Sequence, residues 1–288
     1  MNIHALRVVA AVFVFAFAVC LSGTLDAMSW PSEDAPLIKN FGSNDMGRPV
    51  LGMVFAGNTQ VLAAEKGEVI FSRDSGDNAS RLPSPLGTWT AIDHGDGLIS
   101  IYSRYADESQ INTQVERQQP IASAGVSGWS AQNGFYFIIY DRRERRWINP
   151  AMIITPLRET RLLQIPAVEL MNAQGLSMQS RSLTQGRYTI LVNTGTAVAG
   201  GTQVAPQRIT CLVNGAEAGS LNFEAVSARD GVMMVYRNGL VPAKQVYANF
   251  PAFETAEVFL SRGQINLEII VQDIAGNSRS VINRLVVN

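Results

Sequence analysis

Histidine is almost missing from this chain of 288 residues, which holds two, His4 and His94. That scarcity excludes any site built from clustered imidazoles, for metal or for proton transfer. Cysteine is equally rare: Cys20 and Cys211 lie far apart and form no metal-binding or redox spacing. Charge is thin, at 16% of residues, and balanced, 23 Lys and Arg against 24 Asp and Glu. The net charge of -1 offers no basic surface for a polyanion, so no nucleic-acid partner is expected. There is no G-x-S-x-G elbow for serine-hydrolase chemistry, and no amphipathic helix of note, fixed-period repeat or low-complexity tract.

What is present is apolar. Hydrophobic residues make up 47%, enough to give one large or two ordinary domains a core. Residues 1–27 read as an export signal: Arg7, an apolar run from Val8 to Leu21, then small residues at Ser22, Gly23 and Ala27. The run falls short of the roughly 20 residues of a membrane helix. An uncleaved membrane anchor and lipidation at Cys20 are the alternatives, the latter with Val19 where a small residue is wanted. Each places the protein outside the cytoplasm, in the periplasm or envelope.

The rest has strand periodicity. Thr90–Arg104 reads as a hairpin, with apolar residues up to Ile92, an Asp96-Gly97 turn, and Ile99, Ile101 and Ser103 alternating on the way out. Val61 and Ala63 share a face before Gly67, expected at positive φ, and Val69 resumes the pattern. In Gly134–Tyr140, Gly134, Tyr136 and Ile138 share one face and Phe135, Phe137 and Ile139 the other. Tyr102 and Arg104 are expected on a common face of their strand. The polar stretch Asp74–Pro85 is a surface loop, and its Asn78-Ala79-Ser80 sequon is read as chance. After the segment Pro156–Pro166, alternation returns at Tyr188–Val192, at Ile209–Val213 before Asn214-Gly215, and at Ile265–Val271 before the turn Asp273–Asn277. Phe250–Phe259 reads as a short helix or a long loop. The expected class is all-β, with a second half that is a β-sandwich.

The ordered motifs carry a resemblance. Trp30-Pro31, Ile38 and Phe41-Gly42, then Val61–Ile70, Ile92-x-His94-Gly95-x-Gly97-x-x-Ser100-x-Tyr102-Ser103, Gln119–Gly128 and Trp147–Pro150 are similar to successive motifs of the lysostaphin/LytM-type zinc endopeptidases, the duplicated-hybrid-motif peptidases. The final stretch Leu267–Val287 resembles the last hairpin of bacterial immunoglobulin-like modules. The resemblance implies a LytM-like β-sheet or half-barrel over residues 28–157, a linker at 158–165 and an immunoglobulin-like sandwich at 166–288, each β-unit folding by itself.

In that family zinc is held by H-x-x-x-D and by the second His of H-x-H, while the His of Y-A-H-L and the first His of H-x-H handle protons. Carried over by position, H-x-x-x-D falls on Val50 and Val54, or on Arg48 and Gly52 in a shifted register. H-x-H falls on Gly134 and Tyr136, and the His of Y-A-H-L on Arg104. His94 matches the hairpin's own histidine, which is no ligand, and is expected to be structural; Cys211 is expected to be a core residue. The resemblance therefore implies an inactive pseudopeptidase without catalytic residues, metal or cofactor. Its former groove would present Arg104, Tyr136, Tyr102, Val50, Val54 and Gly134 for binding. The implied role is to regulate a cell-wall hydrolase or bind peptidoglycan. A structural or adhesive envelope protein binding glycan or a surface partner is the alternative, and an active zinc endopeptidase a distant third.

Overall fold

The computed structural model describes residues 28–73, 84–108, 112–154, 163–178, 181–196 and 204–288. The expected export segment, the loop around Asn78 and most of the expected linker lie outside them. Among the described residues no helix is long and apolar enough to cross a membrane.

The protein is all-β. In its first half the strand Gly134–Asp141 lies between Gly52–Ala56 and Leu98–Glu108, antiparallel to both. Leu98–Glu108 returns from Thr88–Asp93 through Gly95, Asp96 and Gly97, all at positive φ, which lets so short a turn close. Thr88–Asp93 pairs onward with Gly67–Arg73. Alternation decides the packing: Phe135 stacks on Phe55 with ring centroids 4.9 Å apart, and Phe137 packs on Tyr102 at 5.3 Å, both inside the main core. Gly67 is not at positive φ, contrary to expectation. A side chain there would press on the Asp93 carbonyl and the Ile92 side chain, so close approach is what calls for glycine.

The second half is a sandwich of two sheets. Arg208–Val213 lies between Ala216–Arg229 and Gly263–Gln272, with Ser278–Val287 beyond. Across from them run Leu163–Asn172, Gly186–Thr196 and Ala252–Leu260. Phe223 and Phe253 meet between the sheets edge to face at 5.7 Å, and the Cys211 sulfur lies 3.3 Å from Thr255 Oγ1. Phe250–Phe259, expected as helix or loop, is mainly strand from Ala252 on; the short helix precedes it, at Ala243–Val246.

A strand already begins at Leu163, inside the expected linker, and Pro166 sits within it. Proline is tolerated because the register slips between Gln164 and Ala167, freeing that position from the ladder. The halves are joined by more than chain connectivity. Arg146–Ile148 pairs with Ala225–Ser227, so one sheet runs from the first half into the second. The Asn149 side chain donates to the Phe223 carbonyl at 2.9 Å, Asn40 to the Ala205 carbonyl at 2.7 Å, and the Tyr247 hydroxyl to the Gly42 carbonyl at 2.6 Å. Asn40 and Asn149 are fully buried, and one hydrophobic core spans both halves.

Candidate functional site

On the side of the Gly134–Asp141 strand away from the main core lies a smaller apolar cluster of Val50, Tyr136 and Ile138, with Val54, Leu86, Ile101 and Trp147 packed against it. Strand pairing assembles it, with Val54 beside Tyr136 on one flank and Ile101 beside Ile138 on the other. Tyr136 is buried, and its hydroxyl accepts the Leu51 backbone N–H at 2.8 Å. Burial pushes its phenol well above the ordinary tyrosine range. The structure thus brings together Val50, Val54 and Tyr136, and sets Gly134 at the end of the same strand opposite Ala56. Gly134 is there because the strands touch: a Cβ would stand 2.0 Å from the Phe55 carbonyl oxygen.

Arg104 caps this cluster, its guanidinium carbon 4.9 Å from the centre of the Tyr136 ring. It reaches that face by an irregularity. Thr88 pairs with Tyr105 and Trp89 with Ser103, so Arg104 is an extra residue, bulged out at φ 68. The bulge corrects the expectation that Tyr102 shares Arg104's face. Tyr102 points into the main core, fully buried, with its hydroxyl accepting the Ala64 N–H at 2.7 Å. Only the inserted residue lets Tyr102 and Tyr105, three positions apart, both face that core. Arg104 Nε is buried and without a hydrogen-bond partner among the described residues, and the side chain forms no ion pair there.

His94 sits within the hairpin, Nδ1 2.8 Å from the Lys66 carbonyl oxygen and Nε2 2.6 Å from Ser100 Oγ. Ser100 in turn contacts the Tyr102 hydroxyl at 3.0 Å. Nδ1 donates to the carbonyl, and burial holds the ring's pKa below the usual 6.5. The Cys211 thiol is buried and pushed up to about 11, far from a reactive thiolate.

A zinc ion of the kind such peptidases use does not fit the residues at these positions. Val50, Val54 and Gly134 offer no donor atom, Arg104 is a cation, and the Tyr136 oxygen is already engaged by a backbone N–H. Alternation already puts Ile138 on the Tyr136 face; missed from the sequence were Leu86, Ile101 and Trp147, which complete the cluster, and the bulge, whose only sign was the odd spacing of Tyr102 and Tyr105.

The fold is an all-β first half joined to a β-sandwich. Residues 49–150 match the family model Peptidase family M23 and form an M23-type domain; a second family model, without a description, matches residues 163–288. No curated protein matches the chain. Among solved structures it is similar to a catalytic-domain variant of the prophage-encoded M23 protein EnpA from Enterococcus faecalis, at 20% identity over 42% of this chain and 94% of that one, with a TM-score of 0.34. Others are a zinc-containing peptidase from Vibrio cholerae (22%, covering 43% and 39%, TM-score 0.36) and lysostaphin from Staphylococcus simulans (13%, covering 73% and 85%, TM-score 0.36).

Proposed function

We propose that this chain is a non-catalytic M23-type module, exported by residues 1–27 to the cell envelope, that binds peptidoglycan and so positions or regulates a cell-wall hydrolase. The observation that carries this reading is Arg104. It stands where the family's proton-transfer histidine would fall, at a backbone conformation unusual for a side-chain-bearing residue, with its Nε unpartnered and its side chain in no ion pair among the described residues. A guanidinium so placed suits a ligand carboxylate, to which its planar fork can make two parallel bonds. The packed apolar cluster beneath it supports a binding role over hydrolysis, because no group there can activate water. The second half, on its resemblance to immunoglobulin-like modules, serves as a companion domain.

The test is co-sedimentation with purified peptidoglycan, together with pull-down from envelope extract, using wild type, Arg104→Ala and Arg104→Gly. Glycine suits φ 68, so Arg104→Gly should leave thermal stability within roughly 1 kcal/mol while removing the guanidinium. Binding should weaken by about 1 kcal/mol or more in both variants. Equal retention by all three would move recognition elsewhere. Stoichiometric zinc in protein purified without chelator, with cleavage of peptide cross-links, would overturn the reading altogether.

A further inference from the structure

The strand Ala216–Arg229 does not run evenly beside its neighbour Val232–Arg237. Asn222 pairs with Tyr236 and Ser227 with Met234, so residues 223–226 stand opposite Val235 alone. On the opposite edge, beyond the end of Arg208–Val213 at Asn222, residues 225–227 pair with Arg146–Ile148 of the first half. The strand is thus bulged on one edge where its other edge joins the halves, and beside that place lies a cleft of about 600 Å³. That is within the roughly 300–1,000 Å³ of small-molecule sites. Arg145, Asn222, Glu224, Ser227, Arg229 and Tyr236 line it.

Their chemistry is mixed in a specific way. Arg145, Arg229 and Glu224 form no ion pair among the described residues. Ser227 Oγ is buried without a partner. Asn222 Oδ1 accepts the Glu224 N–H at 2.8 Å, which leaves the amide's own N–H groups for a ligand. Tyr236 is 48% exposed and so offers part of a ring to the cleft. Donors and acceptors therefore stand side by side around one aromatic ring. A purely anionic ligand would meet Glu224 and Glu144, and an apolar one would strand unpaired charges. An extended peptide would need an open strand edge, but Arg146–Ile148 is already paired on both sides. A hydroxyl group donates and accepts at once, so it satisfies a carboxylate and a guanidinium together.

We propose that this cleft binds a saccharide, an oligosaccharide laid with the apolar face of one ring on Tyr236 and its hydroxyls among Arg229, Glu224 and Asn222. The site lies on the second half and its junction, apart from Arg104, and does not depend on the reading of that residue. Isothermal titration of the full chain with chitotetraose, maltotetraose and a tetra-aspartate peptide tests it. At least one oligosaccharide should bind at millimolar or lower concentration. Tyr236→Ala and Arg229→Ala should each weaken that binding about tenfold, near 1.4 kcal/mol. Tyr236→Phe should retain it, and an unchanged melting curve in each variant excludes a folding defect. Arg104→Ala should leave it intact, whatever that variant does to peptidoglycan binding. The proposal is overturned if neither oligosaccharide binds, if only tetra-aspartate does, or if the cleft variants bind as wild type does.

Discussion

Replacing Asn40 with alanine should weaken the whole chain rather than its first half alone. The Asn40 side chain is fully buried and bonds the Ala205 backbone twice, donating to its carbonyl at 2.7 Å and accepting from its N–H at 2.8 Å. It also accepts from the Ser43 hydroxyl at 2.6 Å. In Asn40→Ala both Ala205 groups stay buried, and the N–H keeps only a 3.3 Å contact to Ser43 Oγ. An unpaired buried backbone group costs about 1–3 kcal/mol. Two such groups, one partly rescued, set the loss at about 2–5 kcal/mol, a fall in melting temperature of roughly 5–15 °C for a protein of this size. The assay has a built-in control, because all four tryptophans, Trp30, Trp89, Trp129 and Trp147, lie in the first half. Tryptophan fluorescence reports that half, whereas far-UV circular dichroism reports strands in both. If the shared sheet and core make one cooperative unit, the two melts coincide in wild type and shift together in the variant. Two separate transitions, or a fluorescence melt that moves without the dichroism, would refute the reasoning and restore independently folding halves.

Further tests address the site and the hairpin. The triple variant Val50→His, Val54→Asp, Tyr136→His should take up zinc measurable by elemental analysis, since these side chains already share one cluster; no uptake in a folded variant would mean the positional match is wrong. Gly134→Ala should cost more than about 3 kcal/mol or fail to fold, because its Cβ would collide with the Phe55 carbonyl, and a near-neutral melt would contradict that contact. Burial lowers the His94 pKa below 6.5, so the unfolded chain binds that proton more readily than the folded one. Its contribution is then complete above the ordinary histidine range and is lost as pH falls below it. Denaturant titrations should show a decline in stability below about pH 6.5 that is smaller in His94→Gln, and identical pH profiles would discard the effect.

Much of the first half was legible because two-residue periodicity survives wherever strands are regular. Phe135, Phe137 and Ile139 against Tyr136 and Ile138 is a division that alternation alone predicts, as is the turn at Asp96-Gly97. Periodicity fails at one inserted residue. From Arg104 on, every face reverses, and nothing local in Ser103-Arg104-Tyr105 announces it, since arginine has no intrinsic preference for positive φ. The pairing across the joint was not legible for another reason. Prolines at 156 and 166 read as punctuation, yet a bulge accommodates Pro166 within a strand. The pairing of Arg146–Ile148 with Ala225–Ser227 joins residues too distant in sequence for any local pattern to link. The cleft beside this joint was invisible for the same reason, because its walls come from three separate segments.

The bulge bears on why Arg104 is read as functional. Adding one residue to the strand keeps both Tyr102 and Tyr105 in the core, and that requirement would be met by glycine at the inserted position, without strain. Arginine there carries a left-handed backbone costing about 1–2 kcal/mol and a buried Nε without a partner among the described residues. Its contact with the Tyr136 ring returns roughly 0.5–2 kcal/mol, no more than the cost of the backbone alone. Among the described residues, the ring contact therefore does not outweigh the cost of the backbone. On the proposed reading a ligand group pairs with it, and the glycine variant, expected to be neutral for folding and damaging for binding, separates the two roles.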